Sequence, residues 1–451
     1  MRKIFYRLVP EGFARHVGML VGGTTFAQVV MLLALPILTR LYSPDDFGVL
    51  AVYASCLAIL SSVICLRLEI AIPIPKNDIQ ALNLVVLALL SAVILTLFVS
   101  LCLLPLAADI AALLGKPELA AYIWLLPVGL LSSAGFAVIQ YWASRKKKFS
   151  LIARARIQQA IAGVSTQLLF GCFTVGPLGL IVGQIVVLAG GTVLLTRMAL
   201  EEIRPLWGNI SYASLWRTLV EYQRFPRFST LEAFCNSGGM QLPVILIATY
   251  VASPEIGFLM LAMKIMAAPM TLLGGAVGQV YLSQASERYR DGELPQFTAE
   301  VLKNLCLIGA PLILAGGLLA PKVFPIIFGP EWLRAGELVL WMVPWFVLQF
   351  MAAPISMGLH VTGNQKTALG LQLMGLAIRF LFLLVAVGLG AENYIIEFYI
   401  LSGAVFYAIY LFIVLGVVKV PLNTIVNALA PGFIGCAVII GLYLSAISVV
   451  N

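Results

Sequence analysis

Thirteen apolar stretches of 21 to 28 residues run along almost the whole chain, separated by turns that carry charge, proline or glycine. An α-helix needs about 20 apolar residues to cross the ~30 Å hydrocarbon core of a bilayer. Within that core only a helix or a closed barrel satisfies its own backbone polar groups. The pattern therefore predicts helical spans at 17–38, 47–70, 80–107, 119–142, 153–173, 177–198, 228–251, 256–281, 301–328, 336–361, 367–388, 394–418 and 426–448. The last is preceded by Pro421 and interrupted by Pro431-Gly432. The composition agrees, with 61% of the 451 residues apolar and 11% charged, against roughly 25% charged in soluble domains. No connection reaches the ~50 residues of a small domain, so a soluble enzyme on one membrane anchor is excluded. The expected fold class is an all-α polytopic membrane protein of about 13 spans, with 12 to 14 compatible with the pattern.

The net charge of +8 is explained by topology once the 28 Lys and Arg are sorted by segment. With a cytoplasmic N-terminus, 21 fall in inner segments, four (Arg40, Lys116, Lys322, Arg334) in outer ones, and Arg67, Lys264 and Arg379 within spans. That asymmetry obeys the positive-inside rule and gives no ground for nucleic-acid binding. Met1 to His16 is basic and runs into apolar residues too numerous for a signal-peptide core, so the first span is expected to be uncleaved. All seven cysteines lie in apolar stretches and none forms a CxxC pair, which fits small buried side chains rather than disulfides or metal ligands.

Turn chemistry points to an internal duplication. Ser43-Pro44-Asp45-Asp46 after span one resembles Ser253-Pro254-Glu255 after span seven, each offering an N-cap serine, proline at the first helical position and an acid. Gly115-Lys116-Pro117-Glu118 before span four resembles Gly329-Pro330-Glu331 before span ten. A period of six spans gives two like-oriented six-helix bundles, a parallel repeat around a central path. The division expected is a lobe over 1–198, a cytoplasmic amphipathic linker over 199–227, a second lobe over 228–418 and an additional membrane helix over 419–451. The linker, with Trp207 and Trp216 among its arginines, suits a helix on the membrane surface.

No catalytic or metal constellation emerges. His16 and His360 have no neighbouring partner of suitable type, the Asp45-Asp46 pair is accounted for by capping, and a phosphate-cradling glycine loop of the Walker kind is absent from the sequence. The informative groups are polar residues inside spans, because a charge near the bilayer centre is costly unless it faces a cavity or a partner. Lys264 lies eight residues from one end of span eight and Arg379 twelve from the opposite end of span eleven. At 1.5 Å per residue these are depths of about 12 and 18 Å from opposite surfaces, which is one level in a ~30 Å core. Two cations at one depth suggest an anion site; the competing role is helix packing against carbonyls or Glu. Pro269 and Gly274-Gly275 would let span eight bend. Arg67 sits about a turn inside the end of span two, where it could equally snorkel to lipid phosphate. Glu232 and Asn236, with Ser229, share a face of span seven, and Gln372 shares a face with Arg379. Gln28 on span one is a further cavity candidate.

At Leu38-Thr39-Arg40-Leu41-Tyr42-Ser43-Pro44-Asp45-Asp46-Phe47-Gly48, Gln140-Tyr141-Trp142, Phe225-Pro226 and Phe328-Gly329-Pro330-Glu331-Trp332 the chain resembles the O-antigen-type lipid-linked oligosaccharide flippases of the multidrug/oligosaccharidyl-lipid/polysaccharide (MOP) exporter superfamily. The resemblance implies two six-helix bundles around a V-shaped cavity in the bacterial inner membrane. It implies an undecaprenyl-diphosphate-linked glycan as substrate, moved to the periplasmic leaflet by alternating access for O-antigen, capsule or exopolysaccharide synthesis. It also implies cavity cations for the diphosphate, a role that Lys264, Arg379 and Arg67 match in kind. Expected partners are membrane lipids and polysaccharide assembly proteins. No cofactor is expected, with coupling left to the membrane potential or to H+ or Na+. The alternatives are a multidrug or cation antiporter of the same superfamily, disfavoured by basic rather than acidic mid-span residues, and a polysaccharide polymerase or ligase, disfavoured by the short outer connections.

Compartment reporters fused at Lys147, Ser211, Arg290 and Lys366 are expected to report cytoplasm, and those at Lys116, Ser253, Arg334 and Asn451 periplasm. A periplasmic signal at Lys147 overturns the orientation of the whole chain.

Overall fold

The computed structural model describes residues 11–173, 176–251 and 253–450. The basic Arg2, Lys3 and Arg7 lie outside the described residues, as do the side chains of His16, Ser253 and His360. Every regular element among the described residues is helical. Among the described residues, eleven segments are long and apolar enough to cross a membrane. Helices also stand at the other two expected spans, Phe149–Gly171, made less apolar by Arg154 and Arg156, and the pair Ser253–Pro269 and Gly275–Arg290.

Contacts divide the chain into two compact units, 1–249 and 250–451. The first contains α1 (Glu11–Leu41), α2 (Pro44–Ser61), a short α3 (Leu68–Ala71), α4 (Asp78–Leu103), α5 (Ala107–Leu113), α6 (Leu125–Arg145), α7 (Phe149–Gly171), α8 (Leu178–Ala189), α9 (Thr192–Ile203), α10 (Tyr212–Glu221) and nearly all of α11 (Thr230–Tyr250). The second contains α12 (Ser253–Pro269), α13 (Gly275–Arg290), α14 (Leu294–Phe328), α15 (Leu333–Ile355), α16 (Met357–Val361), α17 (Gln365–Gly388), α18 (Ile395–Val418) and α19 (Leu422–Val450).

The duplication read from the turns has a structural counterpart. In the first unit α6 packs on α2, α4 and α8, and α8 on α7; in the second α15 packs on α12, α14 and α18, and α18 on α17. These are the same pairings six spans apart. Ser43 closes a full capping box on α2, its Oγ accepting from the Asp46 amide while the Asp46 carboxylate accepts from the Ser43 amide. Pro117 and Pro330 each open a 3-10 turn ahead of the fourth helix of their half. Each follows a glycine with positive φ, Gly115 at 68° and Gly329 at 119°, a backbone region that a Cβ would strain.

Two expectations are corrected. Span two is not continuous to residue 70: α2 stops at Ser61, a series of turns follows, and Leu66 and Arg67 are left-handed at φ 51° and 58°. Arg67 therefore stands in a turn that precedes α3, not within a helix. Pro431-Gly432 does not interrupt the last span, which runs unbroken as α19. A Cβ at Gly432 would come within 2.4 Å of the Cys306 sulfur, so the glycine lets α19 lie close against α14.

Polar groups place two further elements. Helix α10 is tied to α4 by polar groups: Asn83 of α4 donates to the Thr218 hydroxyl at 3.2 Å and accepts from Ser214 at 3.3 Å. Its exposed residues are Tyr212, Trp216 and Val220 together with Arg217 and Glu221. Aromatic and charged groups side by side suit a helix at a bilayer surface. Helix α11 is tied to α2 by Ser55 donating to Gln241 at 3.0 Å and Ser237 donating to the Ala58 carbonyl at 3.1 Å. Those bonds, one turn apart on α11, explain why it groups with the first unit.

The basic turn after α6 is a pin as well as a charge. Arg145 donates to Asp78 at 2.9 Å and to the carbonyls of Ile72, Pro73, Pro75 and Lys76, while Lys146 meets the other Asp78 oxygen at 2.8 Å. Lys147 is exposed. Hydrogen bonds to charged groups contribute about 1.5–3 kcal/mol each when lost singly. Arg145→Ala is expected to destabilise the detergent-solubilised protein by about 2–3 kcal/mol, whereas Lys147→Ala is expected to be near neutral; thermal unfolding of both variants checks this, and equal effects contradict it.

Candidate functional site

In the second unit the candidate residues lie on α12 and α17. Lys264 is half-buried on α12, five residues before Pro269. Directly after that proline the backbone makes one π-helical turn, Met270–Gly274, before α13 begins. A π turn widens the helix and breaks its hydrogen-bond ladder, a feature frequent at functional sites. It occupies the position where proline and glycine were expected to bend this span.

Arg379 is half-buried on α17, with its guanidinium 5.4 Å from the Phe406 ring of α18. Gly375, one turn earlier, makes this approach possible, since a Cβ there would stand 2.7 Å from the same ring. The face of an aromatic ring attracts a guanidinium but leaves its N–H groups unspent. The Arg379 Nε is buried and has no hydrogen-bond partner among the described residues. Such an atom is costly in an apolar bilayer unless something meets it. Gln372, two turns back on α17, is exposed. Helix α12 packs mainly on α15 and α17 mainly on α18, so Lys264 and Arg379 share a unit but sit on helices with different principal neighbours.

Sequence reasoning missed two polar groups of the same unit. Trp345 Nε1 and Gln349 Oε1, four residues apart on α15, are both buried without hydrogen-bond partners among the described residues. Trp345 stacks edge-on against Tyr399 and fills the space left by Gly403. Their i, i+4 spacing was the available signal, masked because tryptophan was counted as apolar. A third missed feature is an ion-pair knot: Arg334 meets Glu255 at 3.3 Å, Glu337 at 3.5 Å and Glu397 at 2.5 Å. It joins α12, α15 and α18, so Glu255, expected only to favour a helix N-terminus, also ties three helices together.

In the first unit, Arg67 lies 3.7 Å from Glu69 across the left-handed turn. Arg67 Nε and Glu69 Oε2 are both buried and have no hydrogen-bond partner among the described residues. Helix α3, directly after the turn, packs against α6 and against a second π-helical segment, Phe225–Ser229. Gln28 is half-buried on α1, while Glu232 and Asn236 are exposed on α11, on a face other than the Ser237–Gln241 face that meets α2.

The residues that carried the family resemblance have structural roles. Tyr42 is buried and donates to the Gln167 carbonyl at 2.7 Å. Trp142 is fully buried and donates to Glu202 at 3.2 Å. Phe225-Pro226 opens the π turn, and Trp332 is buried edge-on against Phe258.

Residues 37–337 match the model of a family described as polysaccharide biosynthesis protein. A comparison with curated proteins returns no match. Among solved structures, the chain is similar to the lipid II flippase MurJ in an inward closed conformation, with a TM-score of 0.71 at 13% identity, covering 94% of this chain and 92% of that one. It is also similar to an inward-facing multidrug resistance MATE family transporter of the MOP superfamily, with a TM-score of 0.60 at 15% identity over 89% and 95% of the two chains. A MOP superfamily transporter from Pyrococcus furiosus gives a TM-score of 0.54 at 15% identity over 90% and 96%. The helical fold is thus that of MOP-superfamily flippases and transporters. With its family model covering two thirds of the sequence, this multi-pass membrane protein belongs to the polysaccharide biosynthesis protein family.

Proposed function

We propose that this protein is a flippase that carries an undecaprenyl-diphosphate-linked oligosaccharide from the cytoplasmic to the periplasmic leaflet of the bacterial inner membrane. The translocation proceeds by alternating access, with the N-terminus in the cytoplasm, and serves the synthesis of a cell-surface polysaccharide such as O-antigen, capsule or exopolysaccharide. It makes and breaks no covalent bond of the substrate, so the protein is not an enzyme. Its partners are the lipid-linked glycan, the surrounding lipids and polysaccharide assembly proteins, and its energy comes from the membrane potential or from H+ or Na+.

The observation that carries this reading is the cationic character of the mid-span residues in the second unit, above all Arg379. A diphosphate entering a low-dielectric environment needs fixed positive charge and hydrogen-bond donors. Arg379 supplies both, since the Phe406 ring holds its guanidinium while Nε stays without a partner. Lys264 supplies a second charge beside a helical irregularity. The family match supports a substrate of polysaccharide biosynthesis, and the likeness to a lipid II flippase supports a lipid-linked one. The MATE-type likeness supports the second reading, a multidrug or cation antiporter. A site for cations, however, calls for carboxylates where this chain has Lys264 and Arg379.

Lys264→Ala and Arg379→Ala are each expected to cut surface-polysaccharide export at least tenfold with membrane abundance nearly unchanged. Lys264→Arg is expected to retain part of the activity. Arg379→Lys is expected to be tolerated less well, because a lysine cannot reproduce the guanidinium fork on phosphate. Full export by Lys264→Met removes that residue from the anion site, and Ala variants that fail to accumulate in the membrane point to packing instead.

A further inference from the structure

The first unit contains a cavity of about 300 Å3 with no charged side chain in its wall. Cys56 and Leu60 of α2, Phe98 and Cys102 of α4, Ile123 ahead of α6 and Ile245 of α11 all contribute to it. Helix α5 and the segment that follows it add Ile110, Leu114 and Leu119 to the wall. Tyr53 adds the one hydroxyl, and that group is already spent on the Leu125 carbonyl at 3.0 Å. The wall therefore presents nothing that recognises a sugar, a phosphate or water. A dry apolar cavity of this kind takes up hydrocarbon, and its volume lies at the lower end of the ~300–1,000 Å3 typical of ligand pockets.

The position of its mouth identifies the hydrocarbon. Phe98 is 62% exposed, and on the same helix Ile94, Leu97 and Leu101 are 63%, 64% and 76% exposed. Helix α4 is strongly apolar and long enough to cross the membrane. Such a face suits contact with lipid chains, and Phe98 and Cys102, both exposed on it, also line the cavity. We infer that the cavity is a binding site for one acyl chain of a membrane phospholipid, inserted from the bilayer between α2, α4 and α11. A single chain suits the volume, and an uncharged wall reads the chain rather than the headgroup. Phospholipid is also the bulk hydrocarbon at this face, so occupancy needs no rarer lipid. The site is independent of the cations proposed for substrate and stands whether the cargo is a glycolipid or a drug. Its wall is shared by α2 and α11, the two helices joined by the Ser55–Gln241 bond.

The test is photocrosslinking of the full-length protein in phosphatidylethanolamine/phosphatidylglycerol vesicles that contain a phosphatidylethanolamine with a diazirine midway along one acyl chain. Adducts mapped by mass spectrometry are expected on Cys56 and Ile123, which line the interior, as well as on Leu97 and Phe98 at the mouth. In Cys56→Phe/Cys102→Phe, which fills the cavity, the interior adducts are expected to fall at least fivefold while those on Phe433 and Ile434 of α19 persist. Adducts confined to Ile94, Leu97 and Leu101 in the wild-type protein overturn the proposal without reference to any variant. So does an interior yield unchanged by filling the cavity. Displacement of the phospholipid label by an equal mole fraction of undecaprenyl phosphate assigns the cavity to a polyprenyl chain and overturns the acyl assignment.

Discussion

In a bilayer a polar group has no water to fall back on, and that constraint orders everything polar in this chain. Most such groups inside the bundles are spent on one another. Asn83 bridges Ser214 and Thr218, Ser55 meets Gln241, and Arg156 lies over Phe136 while donating to Gln140 at 2.7 Å. Arg145 saturates its guanidinium on one carboxylate and a ring of carbonyls. Each of these ties one helix to another and cannot receive a substrate without coming undone. Against that background Arg379 Nε, Arg67 Nε and Glu69 Oε2 belong, with Trp345 Nε1 and Gln349 Oε1, to the buried polar atoms that have no hydrogen-bond partner among the described residues. Leaving such atoms unpaired costs free energy, so their persistence is a reason to look there for a ligand or a moving part.

The spans were legible because lipid demands long apolar helices, and the duplicated turns because capping chemistry is local. Ser43 and Asp46 form the box their spacing announces, and Pro117 and Pro330 open matching turns after glycines with positive φ. What the spacing could not tell was tertiary. Nothing local marks Leu66 and Arg67 as left-handed, and Pro431-Gly432 reads as a break until the Cys306 sulfur is seen beside it. The first unit takes in α11 because Gln241 and Ser237 bond to α2, a long-range pairing with no local signature. The candidate cations were found by depth alone. Their surroundings, Phe406 beneath Arg379 and a π turn after Pro269, came only with the structure.

The same division explains why family and cargo separate. Tyr42, Trp142 and Trp332 carry the resemblance because buried aromatics at helix crossings define the fold. Each is held by contacts to neighbouring helices, Tyr42 to the Gln167 carbonyl, Trp142 to Glu202 and Trp332 to Phe258, so they mark the family rather than the sugar. The choice between a lipid-linked anion and a cationic drug rests instead on the sign of a few mid-span residues, and here that sign is positive.

The most direct measurement of that choice is the sidedness of undecaprenyl-diphosphate-linked saccharide in spheroplasts that lack this protein. The account predicts that the lipid-linked saccharide accumulates in the cytoplasmic leaflet, inaccessible to an added periplasmic glycan-binding probe, and that restoring the wild-type protein returns it to the outer face. An unchanged distribution of the saccharide, together with increased sensitivity of the same cells to cationic drugs, would contradict the account and favour an antiporter.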